Sequence, residues 1–260
     1  MRISVETLEA GLCVRSGTIP PVRRRFFVEQ FEEGRCVVQG ETAHHLGRVL
    51  RAQAGQRYEL SDGTRVWLGR VVSAGRESVE FALEEELPAV EPALRLTLLL
   101  AVVKFDAFEW ALEKATELGV EAIVPLAAGR SEKGLLQAAE KRAERWRRIL
   151  MEGSQQSRRL RPPRLEALSK PQTAFAGAVE GLRLLLSERA EAARLKSVIG
   201  EARAREAVFA VGPEGGWTEE EFLEAGKAGF AEVSLGKMIL RTETAVTAGL
   251  AALNYALGEE

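Results

Sequence analysis

The sequence predicts an α/β protein with a small β domain in front of it, and three observations carry that prediction. A strand–loop–helix unit is repeated twice between 207 and 257. An apolar run at 96–103, the pattern of a strand covered on both faces, leads into a helix with one apolar stripe. Five strand-length segments with partial alternation lie between 26 and 87, broken by turn residues.

Composition sets loose bounds. A chain of 260 residues with 46% hydrophobic and 28% charged side chains is ordinary for a globular protein and has ample core without staples. Cys13 and Cys36 form no CxxC pair, and His44 and His45 are adjacent. Neither pattern suggests a disulfide framework or a metal site, so a reduced, cytoplasmic enzyme without metal is expected. Residues 1–22 carry Glu6 and Glu9 and lack the continuous apolar core of a signal peptide. They are set apart as an extension of unassigned role. The run at 96–103 is too short to span a bilayer.

A net charge of −2 does not advertise nucleic acid, whose binding domains are usually basic. Its distribution is more telling. Arg23, Arg24 and Arg25 stand beside Phe26 and Phe27, and Arg48 and Arg51 follow on a helix expected at 42–51. A second cluster runs from Arg142 through Arg145, Arg147, Arg148, Arg158 and Arg159 to Arg161. Such runs are either solvated faces, balanced here by Glu84-Glu85-Glu86, or patches that track a phosphate backbone.

The segments FFVEQ, RCVVQG, QRYEL, RVWLGRVV and SVEFALEEEL read as a barrel or a sandwich, with Glu33-Gly34, Asp62-Gly63 and Gly75 as breaks. Residues 87–92, LPAVEP, are the natural linker. The second domain opens with a βαβ unit. Its helix, expected at 106–118, should bury Phe105, Phe108, Ala111, Leu112, Ala115 and Leu118 and leave Glu109, Glu113 and Glu117 outside. Gly119 ends it, and 120–126 returns as a parallel strand. A long helix is expected from about 135 to 154, burying Leu135, Ala139, Trp146, Ile149 and Leu150, before Pro162-Pro163. The polar run from Glu152 to Arg158 at its end reads, on composition, as a frayed terminus. Another strand lies at 182–186, with Ser187-Glu188 at its end, and 189–205 is expected to be helical.

In the last unit, 207–211 is a strand closed by Gly212-Pro213. Thr218 caps the next helix, with Glu221 three residues on as its capping-box partner. A strand at 232–235 and a loop at 236–242 lead into the final helix. Loops at the carboxyl ends of strands are where open α/β sheets bind ligands.

Gly212-Pro213-Glu214-Gly215-Gly216 is either a turn that needs glycine or a ligand loop. No lysine follows in the manner of a P-loop, and Glu219, Glu220 and Glu221 fill the first helical turn. An apolar or positively charged ligand suits such a loop better than a triphosphate. Arg241, framed by Met238, Ile239 and Leu240, stands at a helix N-terminus, against the macrodipole. It calls for an ion pair with Glu214 or Glu243, or for an anion to act on.

GPEGGWTEEEF followed by SLGKMILRTETA resembles the C-terminal signature of the RsmE family, the ribosomal small-subunit methyltransferases E of the SPOUT superfamily. The likeness continues through KFDAFEWALEKATELGV, MEGSQQSRRLRPP, HHLGRVLR and RRRFFVE, so it covers about residue 23 to the C-terminus.

The resemblance implies a trefoil-knotted α/β domain at 91–260, behind a barrel similar to RNA-binding PUA domains at 23–90. It implies S-adenosylmethionine as cofactor and N3-methyluridine in 16S ribosomal RNA as product. Donor contacts would come from Leu186, from Gly212, Pro213, Glu214, Gly215 and Gly216, from Leu235, Gly236, Ile239 and Leu240, and from Thr244 and Ala245. Arg241 would favour the uracil anion. Arg23, Arg24, Arg25, Arg48 and Arg51 would meet RNA, together with Gln156, Ser157 and Arg158. At the last of these the chain departs from the family pattern EQSGR, since Arg159 follows. Dimerisation through the knot region fits the final helix, where Val246, Ala248, Leu250, Ala251, Leu253, Tyr255, Ala256 and Leu257 occupy more than one stripe. A SPOUT enzyme of other regiochemistry, or a silent RNA-binding protein, stays open as an alternative. No residue is assigned as the base.

Overall fold

A computed structural model describes residues 24–75, 77–200 and 202–258. The extension at 1–22, and Arg23 with it, lie outside the described residues.

Five of the alternating segments become strands: β1 (Arg25–Phe27), β2 (Arg35–Gln39), β3 (Arg57–Ser61), β4 (Val66–Ala74) and β5 (Ser78–Leu87), in the sheet order β1-β3-β4-β5-β2. On β2 the period is strict, with Cys36 and Val38 buried between exposed Arg35, Val37 and Gln39. Register shifts between β4 and β5 at Leu68/Gly69 and Val71/Ser73 bend the strands. The sheet thus curls round Phe26, Leu60, Val71, Val79 and Phe81 as a half-barrel. Helix α1 (Gly40–His44), prolonged by a π-helical turn at His45–Val49, closes one side with Ala43 and Leu46. It starts two residues earlier than the sequence suggested. Arg51 lies beyond it, in the left-handed region at φ 52°.

The second sheet holds β6 (Arg95–Ala101), β7 (Ala122–Leu126), β8 (Arg164–Leu165), β9 (Leu182–Leu186), β10 (Ala193–Arg194), β11 (Glu206–Val211) and β12 (Ala231–Ser234), in the order β10-β12-β9-β11-β6-β7-β8. Every pairing in it is parallel. The apolar runs have their reason in the two covered faces. Ala207, Phe209 and Val211 of β11 pack with Leu96, Leu98 and Leu100 of β6 under α2 (Phe105–Glu117), α3 (Lys133–Gln156) and α7 (Thr242–Leu257). Val208 and Ala210 face the other way, toward α4 (Pro171–Ala176) and α6 (Glu219–Lys227).

Three expectations need correction. Glu109 is buried rather than outside, because Arg142 and Arg145 reach across from α3 to its carboxylate. The stretch 189–205 is not one helix: it contributes the edge strand β10 and the short helix α5 (Leu195–Gly200). The end of α3 is ordered rather than frayed. Gly153, Ser154 and Gln155 are buried there, the hydroxyls of Ser154 and Ser157 donate to the carbonyls of Leu150 and Gly153, and a Cβ on Gly153 would sit 3.3 Å from Thr116.

The two sheets meet behind the linker. The Ser61 hydroxyl donates to the Leu160 carbonyl at 2.6 Å. The buried Glu59 carboxylate on β3 takes Arg25 of β1 at 2.9 Å and Arg158, past the end of α3, at 3.4 Å. Arg159 donates to the carbonyls of Thr116 and Val120. Burial, reinforced by Arg161, pushes its guanidinium down to about 10, which leaves it charged at neutral pH.

Candidate active site

Strands β12, β9 and β11 are neighbours running in one direction, so their carboxyl ends share one edge of the sheet. The segments that leave these ends enclose a cleft. Leu186, Ser187 and Glu188 enter it from β9, and Val211, Gly212, Pro213, Glu214, Gly216 and Trp217 from β11. The stretch from Leu235 to Leu240 follows β12, and Thr242 and Ala245 of α7 form the floor.

Trp217 holds the walls together. Its ring is buried against Phe175, with centroids 5.8 Å apart, and its indole nitrogen donates to the Leu186 carbonyl at 2.9 Å. Gly212 lies so close that a Cβ there would come within 3.0 Å of the indole. The loop closes with the Gly216 N–H donating to the Pro213 carbonyl, and Gly216 takes φ 71°. Its Cα faces the Glu188 carboxylate so closely that a methyl group there would push the carboxylate aside. The Thr242 hydroxyl donates to the Gly212 carbonyl, which ties the start of α7 to the same loop.

The capping box of α6 is present on both sides, Thr218 with the Glu221 N–H and Glu221 with the Thr218 N–H. The Glu221 carboxylate also accepts from the Gly129 N–H at 2.8 Å, so this buried acid joins the loop after β7 to the glycine loop. Glu219 is neutralised by Arg189, whose guanidinium holds the carboxyl below its usual range and stacks on Phe222. The ionisable groups lining the cleft are therefore Glu188 and Glu214 against Lys237. Most of what remains is backbone and apolar surface, and the arm from β12 presents Met238 and Ile239 almost fully to solvent, at 80% and 88% exposure.

Among the expected donor residues, Leu186, Gly212, Pro213, Glu214 and Gly216 line this cleft, as do Leu235, Gly236, Ile239, Leu240 and Ala245. Gly215 and Thr244 do not. Gly215 faces the other way, toward Arg130, whose guanidinium donates to its carbonyl. The sequence reading missed Trp217, an aromatic directly after the glycines, and Lys237. Arg241 is the exposed N-cap residue of α7, and among the described residues it forms no salt bridge with Glu214 or Glu243.

Of the arginines read as RNA contacts, Arg24, Arg48 and Arg51 are exposed, whereas Arg25 is turned inward onto Glu59. Arg158 shares that carboxylate, Ser157 is tied to its own helix, and Gln156 is exposed. No cluster of histidine, cysteine or carboxylate residues able to hold a metal exists among the described residues.

An RNA methyltransferase domain matches residues 90–254, and an RNA methyltransferase PUA domain matches 38–84. Across 235 residues the chain is 36% identical to the ribosomal RNA small subunit methyltransferase E of Synechocystis, over 88% of this chain and 76% of that one. The chain belongs to the ribosomal RNA small subunit methyltransferase E family.

The Bacillus subtilis member of the family is 29% identical over 89% of this chain and 96% of its own length. The crystal structure of the Neisseria gonorrhoeae member, bound to S-adenosylmethionine, superposes with a TM-score of 0.82 at 31% identity, covering 91% of this chain and 98% of that one. Family membership accounts for the half-barrel in front of a parallel sheet. No described helix is long and apolar enough to cross a membrane.

Proposed function

We propose that the protein transfers a methyl group from S-adenosylmethionine to N3 of a specific uridine in 16S ribosomal RNA. In this reading residues 91–260 carry the chemistry and 23–90 contact RNA. The cleft supports it: backbone walls, an apolar arm and two carboxylates suit a donor with an adenine face and a sulfonium charge, and repel phosphate. A family member bound to that donor adds weight.

Bound there, the donor supplies an electrophilic methyl group. The protein must orient it and hold the acceptor in line. Trp217 and Thr242 fix the two ends of the glycine loop, and Glu188 and Glu214 offer negative charge to the donor. The acceptor imide must lose its proton, and a cation near the uracil oxygens favours the resulting anion. Arg241, at the mouth of α7 and without a carboxylate partner among the described residues, is proposed for that role. The trefoil knot is part of the same reading.

A homodimer through α7 is also proposed, on a narrower face than the sequence suggested. Val246, Leu250 and Leu253 are covered by the protomer's own core. Thr244, Ala248, Ala251 and Tyr255 stay exposed at helical spacing along one stripe, Tyr255 at 94%. Incubation with small-subunit particles and methyl-labelled donor, followed by nucleoside mass spectrometry, tests the function. The expected product is N3-methyluridine; a 2′-O-methyl nucleoside, or no transfer despite donor binding, would refute it.

A further inference from the structure

The glycine loop is held from behind by the loop after β7. That loop makes a tight turn in which the Ser131 N–H donates to the Ala128 carbonyl at 3.0 Å, and both of these residues are buried. Gly129 and Arg130 form its exposed tip. The tip is fastened to the start of α6. Glu221 accepts the Gly129 N–H at 2.8 Å while it caps the Thr218 N–H at 2.8 Å, and a Cβ on Gly129 would come 3.1 Å from the Thr218 methyl group. Arg130 therefore stands on a base that is tied to the core and to a helix cap.

From that base the Arg130 guanidinium donates to the Gly215 carbonyl at 2.8 Å. The same peptide unit is held at its other end, where the Gly216 N–H donates to the Pro213 carbonyl at 2.8 Å. The plane between Gly215 and Gly216 thus has both of its polar ends tied. Gly215-Gly216 is also the only pair of adjacent glycines in the chain. A peptide between two glycines turns over with little steric resistance, because neither neighbour has a Cβ to restrict φ and ψ. Turned over, this one would lose both hydrogen bonds, and Glu214 and Gly216, which line the cleft on either side of Gly215, would shift with it.

We propose that Arg130 is a positioning residue for the methyl donor: it latches the Gly215–Gly216 peptide in the orientation that the cleft requires. The proposal rests on the reading of that cleft as the donor site. Arg130 does not line the cleft, so it acts through the shape of the loop. A wall made largely of backbone recognises its ligand by where its N–H and C=O groups point, so a peptide plane that turns over changes the wall itself. A protein that spends part of its time in the wrong orientation binds with an affinity reduced by the fraction that is competent. Arg130 supplies one of the two bonds that keep this fraction high, and a bond at an exposed site has a modest net worth.

The test compares the unaltered chain with Arg130→Met and Arg130→Lys. It uses calorimetric titration with S-adenosylmethionine, amide hydrogen exchange at Gly216, thermal melting, and steady-state methylation of small-subunit particles. Arg130→Met should bind the donor about three- to tenfold more weakly, and its Gly216 amide should exchange faster by a similar factor. Arg130→Lys keeps a charged donor on the same turn and should recover part of both losses. At saturating donor, kcat and the KM for the particles should match those of the unaltered protein. If that protein binds the donor and Arg130→Met binds it equally well, the positioning role is overturned and the donor cleft stands. A raised KM for the particles with donor affinity unchanged would make Arg130 an RNA contact, and would also overturn it. A loss of affinity matched by faster exchange throughout the sheet and a lower melting temperature would be a folding defect and would do the same. No donor binding by the unaltered protein would overturn both the latch and the reading of the cleft.

Discussion

The indole nitrogen of Trp217 donates to the Leu186 carbonyl at 2.9 Å, and this bond joins the loop after β11 to the end of β9 across the cleft at the carboxyl ends of the strands. Replacing Trp217 with phenylalanine keeps a ring against Phe175 and leaves that carbonyl without its donor. A buried unsatisfied acceptor costs about 1–3 kcal/mol. Trp217→Phe should melt at a lower temperature and bind S-adenosylmethionine more weakly. Trp217→Ala should lose about 3–5 kcal/mol, since a large buried ring goes with it. Chemical denaturation and donor titration on the same samples check both.

Gly216 and Gly215 should answer differently to alanine. Gly216 adopts φ 71°, a left-handed conformation that strains any residue with a Cβ, and the Glu188 carboxylate beside it would also have to swing aside. Gly215 lies outside the left-handed region, and its Cβ would sit 3.3 Å from the Arg130 Cβ, a contact that a shift of a few tenths of an ångström relieves. Gly216→Ala should weaken donor binding by about tenfold or more, consistent with a backbone strain of about 1–3 kcal/mol. Gly215→Ala should bind the donor nearly as the unaltered protein does. Equal losses in both would mean that the loop acts as one unit.

Arg241→Ala should fold and bind donor normally yet methylate about a hundred- to a thousandfold more slowly. The guanidinium is exposed and makes no salt bridge among the described residues, so its removal strands no buried carboxylate. Arg241→Lys should recover part of the rate, because an ammonium lacks the planar two-point contact. Single-turnover methylation beside donor titration separates these effects. Near-normal turnover in Arg241→Ala would remove the residue from the chemistry.

Ala251→Glu should turn a dimer into a monomer. The stripe Thr244, Ala248, Ala251 and Tyr255 is smooth and uncharged, and a carboxylate in its middle would be buried unpaired on association. Sedimentation at micromolar concentration should show the unaltered protein at twice the mass of the variant.

Cys36 should resist alkylation at pH 8 in the folded protein. Burial, and after it the Glu32 carboxylate, push its thiol up to about 11, whereas an unfolded cysteine ionises near about 8.5. Well below that lower value the thiol is protonated in both states, and the stability associated with it is lost as pH rises from there toward about 11. Iodoacetamide labelling mapped by peptide mass, with and without denaturant, gives the comparison. Cys36→Ala should flatten the alkaline decline in melting temperature.

Much of the fold was legible because its signals are local. Thr218 and Glu221 are three residues apart, and that spacing alone announces their capping box. The run at 96–103 announced a sheet covered on both faces. What could not be read depends on distant partners. Glu109 looked solvated because Arg142 and Arg145, which bury it, are 33 and 36 residues away. Gly215 and Gly216 are neighbours of one type, and only the folded loop shows that one faces Arg130 and the other Glu188. Trp217 drew no notice in the sequence, because its bond to Leu186 spans 31 residues. The RNA methyltransferase likeness added what periodicity could not, since it rests on whole motifs.

Glu59 has a consequence for distance. One carboxylate on the half-barrel grips Arg25 beside it and Arg158 beyond the end of α3, while Ser61, two residues on, holds Leu160. The junction is thus pinned at points that a hinge would need free. An RNA touching the half-barrel with one part and the cleft of the second sheet with another meets two stations at a set separation. Such a molecule chooses its nucleotide partly as a ruler does, by how far it lies from a mark.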